Sequence, residues 1–365
     1  MRIAILTFHR AYNCGAMLQA WALKTVLERM GHTVEFPCGK YNEVGYHPPT
    51  LPMLGRNRSG SLVRRIRSFA YRLALTLVGK KDGITAGIYY DDFRKKYLPE
   101  RECEVVEFGK YFDAIILGSD QVLNPHLNEW TSYFLCRDIP KGINKVAYAV
   151  SVGERQLTME DRSLVQDALS SFSAVSMREQ FMGYAVTLDP TLLLEPCYYD
   201  PVVKYHRCSG KYIYMYSCEA SDFEVEIARQ IATRLGLGLI ITPTHGVYNR
   251  GRSNGFSNLI SPSFMVGYIR GAEFVLAGSF HGTAVSLLHG KQFLNIVPDD
   301  RPTKRVSALL ELVGEQDRIV NPRISIDEMI VRLRRPLGGD CFARLAKARD
   351  ASIKWLRDAV AMPMR

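Results

Sequence analysis

Short apolar runs alternate with amphipathic stretches of helical spacing along most of the chain. Near the start, residues 2–8 predict a strand, residues 15–31 a helix and residues 32–36 a second strand. Two further apolar runs, at 113–121 and 145–153, each pass into a polar loop that contains glycine. Such alternation is typical of an α/β fold with parallel sheets, whose ligands bind at the carboxyl ends of the strands.

The alternation restarts after residues 195–210, a segment with two prolines that we interpret as a domain linker. Strands follow at 211–218, 237–242, 273–278 and 292–297, with a helix at 222–236 and a last helix at roughly 340–360. We therefore predict two Rossmann-like domains, 1–200 and 201–338, that face each other across a central cleft. We expect the helix within 339–365 to pack back on the N-terminal domain.

An insertion of different character lies at about residues 56–98, and its segment 61–81 predicts a basic amphipathic helix. The apolar stripe and the basic residues around it are Leu62, Ile66, Phe69, Leu73 and Leu77, with Arg64, Arg65, Arg67, Arg72, Lys80 and Lys81. The pattern fits peripheral docking on the inner face of a membrane that contains anionic lipid. It also fits a helix that packs on the protein's own core, and we favour that interpretation because amphipathic helices of soluble domains usually do so.

The composition is that of a soluble globular protein, with 47% apolar and 23% charged residues among 365. No apolar run approaches the ~18 residues of a membrane span, and the first run is too short for a secretory signal. We therefore expect a cytoplasmic protein. The eight cysteines are scattered without metal-like spacing, so we expect reduced thiols and no metal site.

A net charge of +10 indicates an acidic partner. A phosphorylated small molecule, a nucleic acid or an anionic membrane surface would each satisfy it. The basic residues do not form one long run, and no nucleic-acid-binding motif is present, so we do not expect a nucleic-acid partner.

The strongest candidate site is the sequence SFHGT at residues 279–283, where a predicted strand passes into a helix. A helix start presents free N–H groups and a positive dipole to an anion, and His281 could add charge or move a proton. The alternative is a helix cap formed by Ser279 beside a packed histidine. His289, near the end of the same helix, is expected to act as a charge partner of the helix dipole.

Three other loops carry candidate residues. GSDQVLNP (118–125) suits sugar hydroxyls or a general base, YNCGA (12–16) opens the first helix, and SMREQ (176–180) ends a strand with Arg178 and Glu179. The simpler interpretations are a polar turn, a capping asparagine and, favoured slightly on spacing, a surface ion pair of Arg178. LDPTLLL (188–194) is interpreted as a structural turn around Pro190.

Taken together and in this order, these segments resemble the polysaccharide pyruvyl transferase family. The resemblance begins with ILTFHRAYNCGAMLQAWAL (5–23) and continues through GSDQVLNP, AYAVSVG (147–153), SMRE and LDPTLLL to GSFHGTAVSLL (278–288). Two positions depart from the family pattern: Leu123 stands where tryptophan is usual, and Gly278 where aspartate is common.

The resemblance implies a fold similar to two-domain GT-B glycosyltransferases. It also implies transfer of the pyruvyl group of phosphoenolpyruvate to two hydroxyls of a sugar, which forms a cyclic ketal and releases phosphate. Such a protein serves the synthesis of capsule or exopolysaccharide, needs no cofactor beyond its donor substrate, and uses a glycan acceptor that is often attached to a lipid carrier. The N-terminal domain is expected to bind the acceptor and the C-terminal domain the donor.

Roles follow for the candidate residues. The resemblance implies that His281 and Arg178 contact the donor, with His281 as acid or phosphate partner, and we expect Asp120 to be the base. Further donor contacts are expected from Ser279, Gly282, Thr283, Lys304 and Arg305, and acceptor contacts from Asn13, Gly15, Ser119, Gln121 and Asn124. A GT-B glycosyltransferase that uses a nucleotide sugar and a non-catalytic sugar-binding protein remain as alternatives.

Overall fold

The computed structural model describes most of the chain. The described residues are 1–39, 82–124, 132–136, 138–140, 142–154, 157–205, 210–217, 220–243, 257, 259–298 and 303–362. The segment 61–81, predicted as a basic helix, lies outside these ranges.

The described part of the N-terminal half contains a parallel sheet of seven strands. They are β1 (Arg2–Leu6), β2 (Thr33–Cys38), β3 (Glu100–Glu102), β4 (Ala114–Leu117), β5 (Asn144–Val150), β6 (Ala174–Met177) and β7 (Ala185–Val186). Their order is β3-β2-β1-β4-β5-β6-β7, and every neighbouring pair is parallel. The order reverses between β1 and β4, and the loops after these strands therefore open into one crevice.

The C-terminal half repeats this design with a parallel sheet of five strands among the described residues. They are β8 (Tyr212–Ser217), β9 (Gly238–Pro243), β10 (Phe274–Gly278), β11 (Phe293–Ile296) and β12 (Ile319–Val320). The order is β12-β11-β10-β8-β9, so the reversal falls between β8 and β10. The strands expected at 211–218, 237–242, 273–278 and 292–297 are confirmed within one or two residues.

Helices connect the strands. They are α1 (Cys14–Arg29), α2 (Asp82–Tyr97), α3 (Phe108–Tyr111), α4 (Ser132–Leu135), α5 (Met159–Leu169), α6 (Asp222–Leu235), α7 (Pro262–Gly271), α8 (Phe280–Leu288), α9 (Lys304–Val313), α10 (Ile326–Arg334) and α11 (Cys341–Ala361). Apart from α11, no described helix exceeds sixteen residues. None of the described helices is both long and apolar enough to span a bilayer.

One apolar cluster runs through both halves. It joins Ile3 of β1 and Trp21 of α1 to Phe280 of α8 and Leu356 of α11. Every residue of α1 from Cys14 to Leu23 is buried, as expected of a helix that is apolar on nearly all sides. The two halves are therefore in direct contact around α1 and α8.

The C-terminal helix α11 lies against the N-terminal sheet. The ring of Trp355 packs 6.0 Å from that of Tyr148 on β5. Ser352 Oγ accepts a hydrogen bond of 3.0 Å from the N–H of Leu188, and Arg349 Nε donates one of 2.8 Å to the carbonyl of Leu192. The end of the chain therefore holds the segment 188–194 in place.

His289 caps the C-terminus of α8, and its ring packs edge-on against Tyr199 at 5.4 Å. Burial, followed by the charges of Arg270 and Lys291, lowers the pKa of His289 to about 3. The imidazole is therefore neutral at neutral pH. The expectation that His289 complements the helix dipole as a cation is wrong, because burial disfavours its charged form.

This depressed pKa predicts a pH dependence of stability. The unfolded chain takes up a proton at His289 below about pH 6.5 and the folded chain does not until about pH 3, so acid favours unfolding. The unfolding free energy should decrease as the pH is lowered below about 6.5. In His289→Gln this decrease should be smaller than in wild type by up to about 1.4 kcal/mol per pH unit. Urea denaturation at several pH values measures it. The same slope of unfolding free energy against pH in His289→Gln and wild type would contradict the depressed pKa of His289. His32→Gln, at the more exposed His32, serves as the control.

Candidate functional site

Arg178 lies at the centre of a buried charge cluster. It follows β6 directly, and its side chain is 2% exposed. Its Nη2 atom lies 2.6 Å from Asp189 Oδ2 and donates to Ser119 Oγ at 2.7 Å, while Nη1 lies 3.5 Å from Asp120 Oδ1. The interpretation of Arg178 as a surface ion pair is therefore wrong. Its Nε and Nη1 atoms have no hydrogen-bond partner in the described part of the chain.

Phe280 lies between two arginines. The guanidinium carbon of Arg178 is 4.9 Å from the ring centroid, and that of Arg305 is 5.9 Å from it. Arg178 belongs to the N-terminal half and Arg305 to α9 of the C-terminal half. Both cations face the electron-rich ring at distances that stabilise them. The ring thus brings two fixed positive charges from different halves into one place.

Glu154, just after β5, holds Arg305 in this position. Its carboxylate accepts 2.8 Å hydrogen bonds from Arg305 Nε and from the N–H of Lys304, so it also binds the start of α9. Burial by itself lowers the pKa of Arg305, but Glu154, Asp120 and Glu179 outweigh that effect and raise it. Arg305 therefore stays charged, whereas the side chain of Lys304 is exposed at the surface.

Asp189 joins Arg178 to His281. The carboxylate is 1% exposed, and its Oδ1 accepts hydrogen bonds of 2.9 and 2.6 Å from the N–H and hydroxyl of Thr191. Its Oδ2 lies 3.5 Å from His281 Nε2 as well as beside Arg178. Burial raises the pKa of Asp189, but the charges of Arg178 and His281 outweigh burial and hold it well below its usual range. The turn at 188–194 is therefore part of the site rather than structural alone.

Gly15 of α1 lies against the imidazole of His281. A Cβ atom on Gly15 would lie 2.1 Å from His281 Nδ1 and 2.4 Å from its Cγ, far inside van der Waals contact. Asn13 caps the same helix, with Oδ1 accepting from the N–H of Ala16 at 3.1 Å. The expected acceptor residues Asn13 and Gly15 thus start a helix and seat the histidine, respectively.

Gly15→Ala should therefore displace the His281 ring. A shift of about 1 Å in a reacting group can cost about 100-fold in rate, so we expect a loss of turnover of that order. Steady-state rates and the thermal unfolding temperature are to be compared with those of Gly87→Ala. Among the described residues, a Cβ on Gly87 of α2 would contact Tyr12 alone, at 3.9 Å. Wild-type turnover in Gly15→Ala would show that the position of the imidazole does not matter.

The loop after β4 holds the other expected acceptor residues. Ser119 is fully buried, with its hydroxyl donating to the carbonyl of Ala149 at 2.7 Å and accepting from Arg178. Gln121 and Asn124 bond to each other through their amides at 2.8 Å. Asp120 Oδ1 accepts from the N–H of Gln121 at 2.9 Å and is 8% exposed as a residue. Ser119 therefore positions Arg178, and Asp120 lies beside it.

The start of α8 uses its own polar groups. Ser279 Oγ accepts from the N–H of Gly282 at 3.1 Å, and the carbonyl of Ser279 accepts from both the N–H and the hydroxyl of Thr283. A Cβ on Gly282 would approach the ring of Tyr216 to 3.0 Å. Ser279 is thus a helix cap, and the groups expected to bind an anion at Gly282 and Thr283 are engaged within the first turn. Among the described residues, buried nitrogens of the site without a hydrogen-bond partner are Nε and Nη1 of Arg178 and Nε2 of His281.

The model of one protein family matches residues 13–300: polysaccharide pyruvyl transferase. This match covers well over half of the chain. The protein belongs to the polysaccharide pyruvyl transferase family. The sequence has no match among proteins of curated function.

Solved structures of other proteins have a fold similar to that of this family member. A putative UDP-N-acetylglucosamine 2-epimerase from Listeria monocytogenes is 9% identical with a TM-score of 0.52, covering 97% of this chain and 90% of its own. MnaA of S. aureus, solved with UDP, is 8% identical with a TM-score of 0.51, covering 98% and 96%. The glycosyltransferase SnogD of Streptomyces nogalater is 10% identical with a TM-score of 0.46, covering 98% and 99%. The expected α/β fold, with a parallel sheet in each half, is confirmed.

Two departures of this transferase from the family pattern have structural reasons. Leu123 is 1% exposed within the core of the N-terminal half. At Gly278, a Cβ atom would lie 2.3 Å from Glu224 Oε1 and 2.5 Å from Ser217 Oγ, which are hydrogen-bonded to each other. The buried carboxylate of Glu224 therefore takes the space that a side chain at position 278 would need.

Two acidic residues of the site, Asp189 and Glu154, were not expected from the sequence, and Glu179 was named there without a role. Each of the three has the sequence context of an ordinary loop carboxylate, and only the tertiary structure shows its partners. A local signal existed for Asp189, which stands in an apolar segment directly before Pro190. Another existed for Glu179, which directly follows Arg178 at the end of a buried strand.

Proposed function

We propose that the protein transfers the pyruvyl group of phosphoenolpyruvate to two hydroxyls of a sugar in a polysaccharide or its precursor, with formation of a cyclic ketal and release of phosphate. The observation that carries the proposal is the pair of guanidinium groups, Arg178 and Arg305, held on one aromatic ring beside His281. Phosphoenolpyruvate carries a carboxylate and a phosphate close together, and guanidinium groups are suited to both.

The free donors of Arg178 support this assignment. Its Nη2 atom is used by Asp189 and Ser119, whereas Nε and Nη1 are buried without hydrogen-bond partners among the described residues. Nε and Nη1 face different edges of the guanidinium group, and each can donate a charge-assisted hydrogen bond to an anion. The carboxylate of phosphoenolpyruvate would accept a hydrogen bond from one of these donors, and its phosphate would lie toward Arg305 and Lys304.

The chemistry needs three protein roles. Protonation of the methylene carbon creates a cationic centre, one sugar oxygen attacks it as phosphate leaves, and the second hydroxyl closes the ring. Asp120, paired with Arg178 beside the crevice, would accept a hydroxyl proton. His281, held by Asp189, would act as acid or bind the leaving phosphate. We place the acceptor at the N-terminal sheet, near Asn13, Gln121 and Asn124.

Incubation with phosphoenolpyruvate and a panel of p-nitrophenyl hexosides tests the proposal. The expected results are inorganic phosphate in solution and a hexoside heavier by pyruvic acid minus one water, measured by mass spectrometry. A parallel incubation with UDP-hexoses covers the glycosyltransferase alternative, which would release UDP. Release of UDP without any phosphate from phosphoenolpyruvate would overturn the proposal, and binding of sugar without turnover would identify a non-catalytic sugar-binding protein.

We also propose that the acceptor is attached to a lipid carrier at the inner face of the membrane. The motive is the basic amphipathic pattern of residues 61–81, for which docking on anionic lipid is the alternative to the favoured packing on the protein's own core, together with the net charge of +10. Sedimentation with anionic and neutral liposomes tests whether the protein contacts the membrane surface. Binding to neither kind of liposome would contradict that contact.

A further inference from the structure

Glu179 is a buried carboxyl group whose two oxygens have different surroundings. The residue is 6% exposed and directly follows Arg178 at the carboxyl end of β6. Its Oε1 atom accepts hydrogen bonds of 2.8 Å from the hydroxyl of Ser151 and 2.9 Å from the N–H of Val152. Its Oε2 atom is buried and has no hydrogen-bond partner among the described residues. One oxygen is therefore fixed and the other is free to donate or accept a proton.

The hydrogen bonds decide where a proton would reside. The Ser151 hydroxyl oxygen accepts from the N–H of Gly153 at 3.0 Å, which directs its proton to Glu179. Because Oε1 already accepts from two donors, the neutral carboxyl group carries its proton on Oε2. A buried O–H group without an acceptor is poised to give its proton to a bound molecule.

The electrostatic surroundings favour the neutral form. Burial raises the pKa of Glu179, and the hydrogen bonds to Oε1 and the charges of Arg305 and Arg178 offset this only in part. A donor that brings a phosphate and a carboxylate to these arginines would add negative charge beside Glu179. Since a like charge disfavours ionisation, binding of the donor would strengthen the hold of Glu179 on its proton.

The other acidic groups of the site have different tasks. Asp189 is bound by Arg178 and Thr191 and faces His281, and Glu154 accepts from Arg305 and from the start of α9. Asp120 lies against Arg178. Each of these three carboxylates is paired directly with a guanidinium group, whereas both donors to Glu179 are uncharged.

We infer that Glu179 is the proton donor to the methylene carbon of phosphoenolpyruvate, an assignment that rests on the proposed function. Transfer of the Oε2 proton forms the third C–H bond of the pyruvyl methyl group and leaves Glu179 as a carboxylate. The first sugar oxygen bonds to the cationic carbon, the bond between carbon and phosphate oxygen breaks, and the proton of that first hydroxyl passes through Asp120 to the phosphate. The proton of the second hydroxyl returns Glu179 to its neutral form as the ring closes. In this scheme His281 binds the leaving phosphate.

Glu179→Gln tests the inference, because the amide keeps the shape and the acceptor oxygen but has no acidic proton. We expect phosphate release from phosphoenolpyruvate and the p-nitrophenyl hexosides to fall by about 10²–10⁴-fold in kcat, with little change in KM for phosphoenolpyruvate. The wild-type rate should fall as pH rises through the pKa of Glu179, and the residual rate of the variant should lack that limb. Glu311→Gln, on an exposed glutamate of α9, is the matched control.

Ser151→Ala provides a second test that does not depend on the folding of Glu179→Gln. Removal of a donor to Oε1 destabilises the carboxylate, so the alkaline limb should move to higher pH. An unmoved limb in Ser151→Ala would overturn the inference. So would a Glu179→Gln enzyme that keeps kcat, or one whose loss lies entirely in KM. Absence of phosphate release from the wild-type enzyme is a separate result, because it removes the proposed function and with it the role of Glu179.

Discussion

Replacement of His281 by alanine is expected to reduce phosphate release from phosphoenolpyruvate by about 10²–10⁴-fold, the usual contribution of a positioned acid or base. The imidazole Nε2 lies 3.5 Å from the Asp189 carboxylate, which Arg178 and Thr191 also hold, and the ring rests on Gly15. The contacts with Asp189 and Gly15 orient the imidazole ring. Their loss removes little packing from the apolar core. The fold should therefore survive the substitution, as judged by circular dichroism and thermal unfolding.

His289→Ala is the matched control, since both histidines belong to the region of α8. His289 packs against Tyr199 at the far end of the helix, and its pKa of about 3 keeps it neutral. We expect this variant to retain most of the activity. Equal losses in the two variants would indicate general damage to α8 and would remove His281 from the reaction.

Arg178→Lys is expected to weaken the apparent affinity for phosphoenolpyruvate by about 10- to 100-fold, although the charge is kept. The guanidinium uses Nη2 for Asp189 and Ser119, while Nε and Nη1 have no hydrogen-bond partner among the described residues. A lysine ammonium is a single point charge. It cannot keep the contacts to Asp189 and Ser119 and also donate at the positions of Nε and Nη1. The measurement is KM for phosphoenolpyruvate together with calorimetric binding of the donor alone.

Arg162→Lys controls for the loss of a guanidinium elsewhere, because Arg162 is an exposed arginine that contacts the ring of Phe181 at 5.8 Å. It should leave the affinity unchanged. Unchanged affinity in Arg178→Lys as well would exclude Arg178 from the donor site. It would then be a structural cation that holds Asp189 and Ser119.

Much of the fold follows from local patterns in the sequence. The buried runs at 2–8 and 273–278 become β1 and β10 because apolar runs of this length, followed by glycine or polar residues, are stable only as strands inside a sheet. Gly236 ends α6 in a left-handed conformation, as its position after an amphipathic run indicates. The location of candidate residues at the carboxyl ends of strands is equally local, since it depends only on where each strand stops.

The partners of the site residues were decided by the tertiary structure. SFHGT could be recognised as a special helix start, but its own serine and amides satisfy each other, and its histidine finds Asp189 and Gly15 in the other half of the molecule. Arg178 could equally have been a surface ion pair, because a sequence does not state whether an arginine will be buried.

By itself, the sequence determined the parallel α/β architecture, the family and the places where polar residues leave the sheets, because periodicity and chain order are local properties. Only the tertiary structure decided that Arg178 and Arg305 share Phe280, that His289 is neutral, and that one oxygen of Glu179 is fixed while the other has no hydrogen-bond partner in the described part of the chain. These depend on burial and on distances between groups far apart in the chain. Burial changes which charge state of a side chain is stable, and no local pattern reports it.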